Sequence, residues 1–217
     1  MRLSTHLISA LVGFVGLTAA TPIDTRAPAS DFASDGFTIV PLSFTGAYGR
    51  RGEVHTFNGT VEEVVSQIVA INPDFDLSDD EESGLARRGD QGWRKRVVAR
   101  KDCGDEGTGW TSARRIQDGI NYLRKVTRDK PRFEVGRKEC GRISCSYNSA
   151  IFVCYDPHKD SPAVYDQEWS YVADYAQGII MDWCPRYPNP NIITLDWVRG
   201  KVWDPKGMVV RVHWEKC

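Results

Sequence analysis

The stretch that decides the fold lies at the carboxyl end of the chain and reads Trp197-Val-Arg-Gly-Lys-Val-Trp-Asp-Pro-Lys-Gly-Met-Val-Val-Arg-Val-His-Trp214. Two alternating apolar and polar runs flank a turn sequence in which Pro205 suits an early turn position and Gly207 can adopt the left-handed conformation. The pattern therefore predicts a β-hairpin with a three-residue loop and a glycine bulge. That register places the valines on one face, whereas a loop one residue longer would put Arg199 and Lys201 among them at a cost in free energy.

The residues before this hairpin predict a helix, a second hairpin and a second helix. The first helix begins at Thr111 or Ser112, and apolar residues follow at helical spacing. The second hairpin is predicted to turn at Asn148-Ser149. Four of its side chains would then share one buried face: Ile143, Cys145, Phe152 and Cys154. The second helix begins near Asp166 and is stopped by Pro185.

The order of these elements, α-β-β-α-β-β, predicts the α+β class. Helices and antiparallel strands bury their apolar surfaces most simply by packing as two layers. We therefore predict a two-layer α/β sandwich, in which two helices cover one face of a four-stranded antiparallel sheet.

Six cysteines occur in the sequence, and all belong to this sandwich: Cys103, Cys140, Cys145, Cys154, Cys184 and Cys217. An even number in an oxidising compartment predicts three disulfides. For Cys184 we expect a bridge to Cys145 or Cys154, with Cys145 preferred, which would pin the second helix to the sheet. A zinc site is the alternative, but the chain has no Cys-x-x-Cys pair and few histidines.

The start of the chain indicates the compartment. Arg2 is followed by a short apolar run at 7–17 and by small residues up to Ala20. This layout is typical of a signal peptide at 1–20, and the run is shorter than the roughly 20 apolar residues that span a bilayer. The protein is therefore expected to be secreted and extracellular.

Residues 21–101 contain no cysteine and are predicted to be a pro-segment ahead of a disulfide-stapled domain at 102–217. Clustered basic residues there resemble the cleavage sites of kexin-type proteases in the secretory pathway. The predicted processing sites follow Arg88, Arg96 and Lys101. A basic, solvated linker is the alternative reading of the same residues.

The pro-segment also predicts structure of its own. Residues 37–40 favour a strand, and Thr60 can cap a helix over 61–71. Asn58 begins a glycosylation sequon, which suits a secreted glycoprotein. The sequence leaves open whether this segment packs on the C-terminal domain, as a folding aid or a shield, or is loosely ordered.

The hairpin register also gathers cationic and aromatic side chains on the face opposite the valines. These are Trp197, Arg199, Lys201, Trp203, Arg211 and His213. Aromatic rings interleaved with cations can stack on bases or sugars and hold acidic groups. We therefore predict that this face binds an anionic or glycan partner. The alternatives are a solvated sheet face and a face covered by the pro-segment.

The sequence favours a protein that is not an enzyme and needs no cofactor or metal. The common motifs of hydrolases and nucleotide-binding proteins are absent. A metal-free ribonuclease is the enzyme alternative, because the domain offers acids and bases for such chemistry. They are His158, His213, Glu134, Glu139 and Glu168. No characteristic spacing joins them, so catalytic residues remain unassigned. The net charge of −1 predicts no general affinity for nucleic acid.

A resemblance rests on the run Cys140-Gly-Arg-Ile-Ser-Cys-Ser-Tyr-Asn-Ser-Ala-Ile-Phe-Val-Cys154, on a helix ending at Cys184 and on a strand pair ending at Cys217. Across 103–217 the chain resembles small secreted proteins of filamentous ascomycetes, many of them effector candidates. More distantly, its layout is similar to the smut killer toxins and related necrosis-inducing effectors, which are disulfide-bonded α/β sandwiches. Those toxins disturb ion uptake without enzymatic turnover. No motif here marks the lysine on which they depend, so no functional residue is carried over.

We therefore expect a secreted, non-enzymatic effector or killer-toxin-like protein that acts on host or competitor cells after proteolytic maturation. Its expected partners are a cell-surface target, a glycan or anionic ligand, and the kexin-type protease that matures it. It is expected to be a monomer with a role in virulence. A secreted ribonuclease and a wall protein that binds carbohydrate through Trp197 and Trp203 are the alternatives.

Overall fold

The computed structural model describes residue 32 and residues 35–75, 95–104, 108–125, 132–158, 161–186 and 197–217. The strands are β1 Thr38–Val40, β2 Ser43–Gly46, β3 His55–Asn58, β4 Arg100–Asp102, β5 Thr111–Ser112, β6 Arg132–Gly136, β7 Glu139–Ser146, β8 Ser149–Tyr155, β9 Val164–Glu168, β10 Pro185–Arg186, β11 Trp197–Val198, β12 Gly200–Trp203 and β13 Met208–Trp214. The helices are α1 Val61–Ile71, α2 Ala113–Lys125 and α3 Trp169–Gly178, and a π-helical turn, Ile179–Trp183, continues α3. The predicted signal peptide and Arg88 lie outside the described residues.

The strands form three sheets. The largest has six strands in the order β1-β7-β8-β13-β12-β4, all antiparallel to their neighbours except β1, which runs parallel to β7. The second has four antiparallel strands, β3-β2-β6-β9, and a short third sheet contains β10-β11-β5. The α+β class is confirmed. The predicted four-stranded sheet was too small, because its strands form the centre of the six-stranded sheet and the N-terminal residues add further strands.

The last hairpin has the predicted register. Val202 faces Val210 across β12 and β13, and Gly200 faces Val212. The loop closes through the Asp204 amide, which donates to the Met208 carbonyl over 2.9 Å, and Gly207 has a φ of +92°. The three-residue loop with its left-handed glycine is thus confirmed.

The other hairpin turns one residue earlier than predicted. Tyr147 and Asn148 both have positive φ, and Ser146 pairs with Ser149 across the turn. A bulge lies between Arg142 and Ser144, so the side chains of β7 change face there. Ile143 therefore packs in the larger core, away from the cluster that contains Phe152 and Cys154. The prediction that these side chains share one face was wrong for Ile143, and both faces of this hairpin are buried.

The helices α2 and α3 pack on each other and on the six-stranded sheet. The hydroxyl of Ser112 accepts a hydrogen bond from the Arg115 amide over 3.4 Å, so α2 is capped where predicted. Three apolar side chains of its predicted stripe are buried: Ile116, Ile120 and Leu123. The helix α3 begins at Trp169, after the predicted Asp166, because residues 164–168 pair with β6 as a strand.

Three disulfides are present, as predicted. They join Cys103 to Cys184, Cys140 to Cys154, and Cys145 to Cys217. The predicted pairing of Cys184 with Cys145 was wrong. Cys184 ends the π-helical turn beside β12, where a Cβ on Gly200 would lie 2.8 Å from its sulfur. Cys145 lies on β7, and two strands separate β7 from β12, so the nearer Cys103 after β4 forms the bridge.

Residues 35–75, called the N-terminal segment below, pack on the C-terminal half. The predicted strand at 37–40 and the helix at 61–71 are both present, and β2 pairs with β6 while β1 pairs with β7. The segment contributes buried side chains to the main core: Leu42, Phe44, Tyr48, Phe57, Val61, Val64, Val65 and Ile68. Glu62 on α1 also accepts hydrogen bonds from the Ser144 hydroxyl over 2.5 Å and from the Cys145 amide over 3.2 Å. The packed alternative is therefore the correct one.

Gly141 provides a direct test of this packing, because a Cβ there would overlap with the Leu42 side chain of the N-terminal segment. We expect Gly141→Ala to lower the free energy of unfolding by about 1–3 kcal/mol in urea titrations, the usual cost of overpacking. In a Leu42→Ala background the same substitution should cost less, since the overlapping atoms are gone.

The matched control is Gly104→Ala, whose Cβ would meet its nearest neighbour, Asp102 Oδ1, at 3.7 Å. We expect it to change stability by about 1 kcal/mol or less. Additive effects of Gly141→Ala and Leu42→Ala would contradict the observed docking.

Candidate anion-binding site

The six residues of the predicted binding face divide into two groups, because the strand that carries them is interrupted. β11 leaves the large sheet and pairs with β10 and β5, whereas β12 stays between β13 and β4. Trp197 and Arg199 therefore lie apart from the other residues. Lys201, Arg211 and His213 share the face opposite the buried valines of β12 and β13, and Trp203 lies at its edge.

Trp197 and Arg199 take up different environments. Trp197 is 48% exposed on β11. The guanidinium of Arg199 donates to the carbonyls of Thr108 over 2.8 Å and Gly104 over 3.1 Å, and it stacks over the Trp110 ring at 4.5 Å. Arg199 thus holds residues 104 and 108 against the sheet.

Lys201 and Arg211 face each other directly across β12 and β13. Like charges in this arrangement repel, and both side chains are buried, so a counter-charge is needed. Asp35 supplies it from the N-terminal segment. One carboxylate oxygen, Oδ2, lies 3.0 Å from Lys201 Nζ and 3.3 Å from Arg211 NH1. A second carboxylate, Asp102, lies 3.9 Å from Lys201 Nζ. The two cations are thus paired within the chain, and this part of the predicted binding face is covered by the N-terminal residues, as in the covered alternative of the sequence analysis.

Aromatic rings enclose the arginine side of this site. The Phe32 ring covers the Arg211 guanidinium at 4.4 Å and packs against Phe152 at 4.6 Å. His213 stacks on Phe152, with 5.1 Å between centroids and 10° between ring planes, and its ring also lies 5.7 Å from that of Phe32, so the three rings pack together. Arg211 and His213 are each only 1% exposed. This enclosure removes water from the ion pairs and so strengthens them.

Trp203 lies at the rim of the site. Its ring is half-buried, the Arg100 guanidinium stacks on it at 4.4 Å, and Lys201 Nζ lies 5.8 Å from its centroid. Arg100 reaches this position because β4 pairs with β12, which sets Arg100 opposite Trp203. The rim is therefore aromatic and cationic.

Sequence analysis missed four residues of the site: Phe32, Asp35, Arg100 and Asp102. The last two belong to β4, which spans the predicted processing site after Lys101. Asp35 precedes Gly36, whose φ of +73° turns the chain into β1. The sequence offered one indication of this turn, the Asp-Gly pair before a predicted strand. Such a pair does not indicate which cation the aspartate contacts.

Two of the predicted processing residues belong to the folded structure. Arg96 donates to the buried Asp174 carboxylate, with 2.7 Å between Arg96 NH2 and Asp174 Oδ2, and stacks over the Tyr171 ring at 4.5 Å. Lys101 lies in β4 opposite Val202. A protease that must seat the arginine side chain in its own acidic pocket would have to break the Arg96 ion pair first.

The remaining predicted residues occupy separate places. Asn58 is exposed at the end of β3 and accepts a hydrogen bond from Ser43 over 2.7 Å, so its glycosylation remains a prediction. His158 lies in an exposed loop after β8. The three glutamates lie outside the six-stranded face that carries His213: Glu134 on β6, Glu139 at the start of β7 with its carboxylate on the Gly136 amide, and Glu168 at the end of β9.

The described residues contain neither a metal-binding cluster nor a membrane-spanning helix. No group of three or more histidine, cysteine or acidic side chains is arranged there to hold a metal ion. Within the same residues, no helix has the length and apolar character needed to cross a bilayer. Comparisons of the chain with protein-family profiles, with curated proteins and with solved structures gave no match.

The Arg96 ion pair leads to a prediction about processing. We expect a kexin-type protease to spare Arg96 in the folded, purified protein, and to cleave after Arg96 in the Asp174→Asn variant. The substitution keeps the shape of the side chain but removes the charge that holds the guanidinium. Mass spectrometry of the fragments would show a chain that begins at Val97.

The control is Asp182→Asn. Asp182 lies 3.9 Å from Lys95, and both side chains are largely exposed, so the lost interaction is weak. This variant should be cleaved like the unchanged protein. Cleavage after Arg96 at the same rate in all three proteins would contradict the protective role of Asp174.

Proposed function

We propose that this chain is a secreted, non-enzymatic protein of the effector or killer-toxin type, which acts on host or competitor cells by binding. The single observation that carries the proposal is the carboxylate held between Lys201 and Arg211. Two buried cations that share one carboxylate are suited to bind an acidic group, and they lie on the predicted binding face. The resemblance of residues 103–217 to small secreted fungal proteins supports the same class.

The environment of His213 favours binding over catalysis. A general acid or base must reach the reacting atoms and exchange protons with them. His213 is enclosed between Phe152 and the strand backbone, and its Nδ1 lies 2.9 Å from the Trp214 carbonyl. A carbonyl only accepts hydrogen bonds, so Nδ1 carries its proton there. The ring serves to pack the site.

Three disulfides favour maturation outside the cytosol, and the buried contacts of the N-terminal segment favour its retention. All three bridges join residues between 103 and 217, and no cysteine occurs before Cys103. Cleavage after Arg88 would therefore leave no covalent bond between the two halves. Each large apolar side chain that the segment buries contributes about 1.5–3 kcal/mol, so the halves stay associated. The mature form that we propose is a two-chain protein.

This proposal predicts the behaviour of the cleaved protein. After kexin-type digestion, size-exclusion chromatography should give one species of unchanged size, since the buried contacts hold the halves together. Denaturing electrophoresis without reductant should separate two fragments, because no disulfide joins them. Release of the N-terminal fragment during native chromatography would contradict the two-chain form.

The proposed action on cells is tested with the purified, cleaved protein on yeast cells and plant protoplasts. We expect saturable binding to one of them, followed by slower growth or altered ion uptake, with no turnover of RNA or wall polysaccharide. The matched control is the reduced and alkylated protein, which lacks the disulfide-stapled fold. Hydrolysis of RNA or glycan that disappears in His158→Ala or His213→Ala would instead establish an enzyme.

A further inference from the structure

The site on the six-stranded sheet holds a peptide of this chain, and its contacts define what else could bind there. We infer that Lys201, Arg211 and the edge of β7 form a peptide-binding site, with residue 32 and residues 35–40, the arm, as its built-in occupant. The external ligand is an acidic peptide of the pattern aromatic-x-x-Asp followed by a short extended run. This inference rests on the proposed binding function and specifies its ligand.

The acidic position of the ligand is defined by Asp35. Its carboxylate meets two cations that face each other on adjacent strands, at 3.0 and 3.3 Å from the same oxygen. Displacing Asp35 would remove the carboxylate closest to both cations, whereas Asp102 lies 3.9 Å from Lys201 Nζ. A ligand that replaces the arm therefore binds best if it brings a carboxylate to the same point.

The aromatic position is defined by Phe32, three residues before Asp35. Its side chain is buried between the Arg211 guanidinium and the Phe152 ring. The arm folds back on itself here, because the Phe37 amide donates to the Phe32 carbonyl over 2.9 Å. The aromatic residue and the carboxylate thus reach Arg211 together, one over its plane and one at its edge.

The extended position is defined by β1. Thr38, Ile39 and Val40 pair in parallel with residues 139–141 of β7, and the Thr38 amide donates to the Lys138 carbonyl over 2.8 Å. β1 is the edge strand of the sheet. Adding one strand to a sheet edge is a common mode of peptide recognition, in which main-chain hydrogen bonds give affinity and side-chain anchors give specificity.

The arm can be exchanged more easily than the rest of the N-terminal segment. In the described residues, Phe32 is the fully buried side chain of the arm, and Phe37 and Ile39 are partly buried against the same small cluster, whereas the residues from Leu42 to Ile68 fill the main core. Segments with few buried apolar contacts open at a lower free energy than the core. A partner peptide can therefore displace the arm while the fold persists.

The test uses the full chain with Phe32→Ala and Asp35→Asn, which removes both anchors of the arm. The probe is a fluorescein-labelled peptide with the sequence of residues 29–40, followed by fluorescence anisotropy. We expect the variant to bind this peptide at least about tenfold more tightly than the unchanged chain, whose own arm competes for the site. A probe with Asn in place of Asp35 should lose most of that affinity.

Two controls locate the binding. Lys201→Met added to the variant should abolish binding, because half of the cation pair is gone. Asp166→Asn alone should leave the chain like the unchanged protein, since its ion pair with Arg132 belongs to the other sheet. Circular dichroism establishes that each variant is folded. If the double variant does not fold, Asp35→Asn alone replaces it, because it changes no volume.

Several results would overturn the inference. They are a folded variant that does not bind the probe, equal binding by the variant and the unchanged chain, full binding of the Asn probe, and binding of inorganic phosphate or anionic vesicles without the peptide. The assay contains no cells, so its failure leaves the proposed action on cells to its own test. Peptide binding without any effect on cells would remove the effector role and keep the site.

Discussion

The architecture depends on two buried cations that face each other on adjacent strands. Lys201 and Arg211 are forced together by the register of the last hairpin, and that register is set by the valines on the opposite face. Hydrophobic burial therefore places a like-charged pair in the interior, where repulsion is poorly screened. The N-terminal segment resolves this conflict by supplying Asp35. The same N-terminal residues that neutralise the cations also cover this face of the sheet.

The two halves of the chain are held by different forces. Disulfides fix the C-terminal half at both edges of its sheet and at the chain end, whereas the N-terminal segment is held by strand pairing and apolar burial. Covalent bridges therefore stabilise the C-terminal half by constraining its unfolded state. No disulfide joins the N-terminal segment to the C-terminal half, because all three bridges join residues between 103 and 217. Apart from the polypeptide chain itself, only non-covalent contacts attach the segment.

Sequence reasoning succeeded where one local pattern determines the outcome. The alternating valines and the Pro-Lys-Gly loop determined the final register, and Thr60 determined where α1 begins. It failed where distant strands decide. The bulge after Arg142 reversed the face of Ile143, and the partner of Cys184 depended on which sheet edge the π-helical turn reaches. For the site, parity predicted which side chains group on β12 and β13, but could not predict that Phe32 and Asp35 cover them.

The basic pairs illustrate the same limit for function. Arg96 belongs to a sequence that resembles a cleavage site, yet its guanidinium pairs with the buried carboxylate of Asp174 on α3. The same carboxylate lies 3.6 Å from Arg124 on α2, so it has two cationic partners. A protease can bind an arginine side chain only if that side chain separates from its partner. Separation would leave a buried carboxylate with one cation fewer, and the free-energy cost opposes it. The fold therefore makes some basic cleavage sequences less accessible to a protease than others of the same residue type. Which charges the packed structure has already paired therefore decides which basic residues stay accessible to a protease or a ligand.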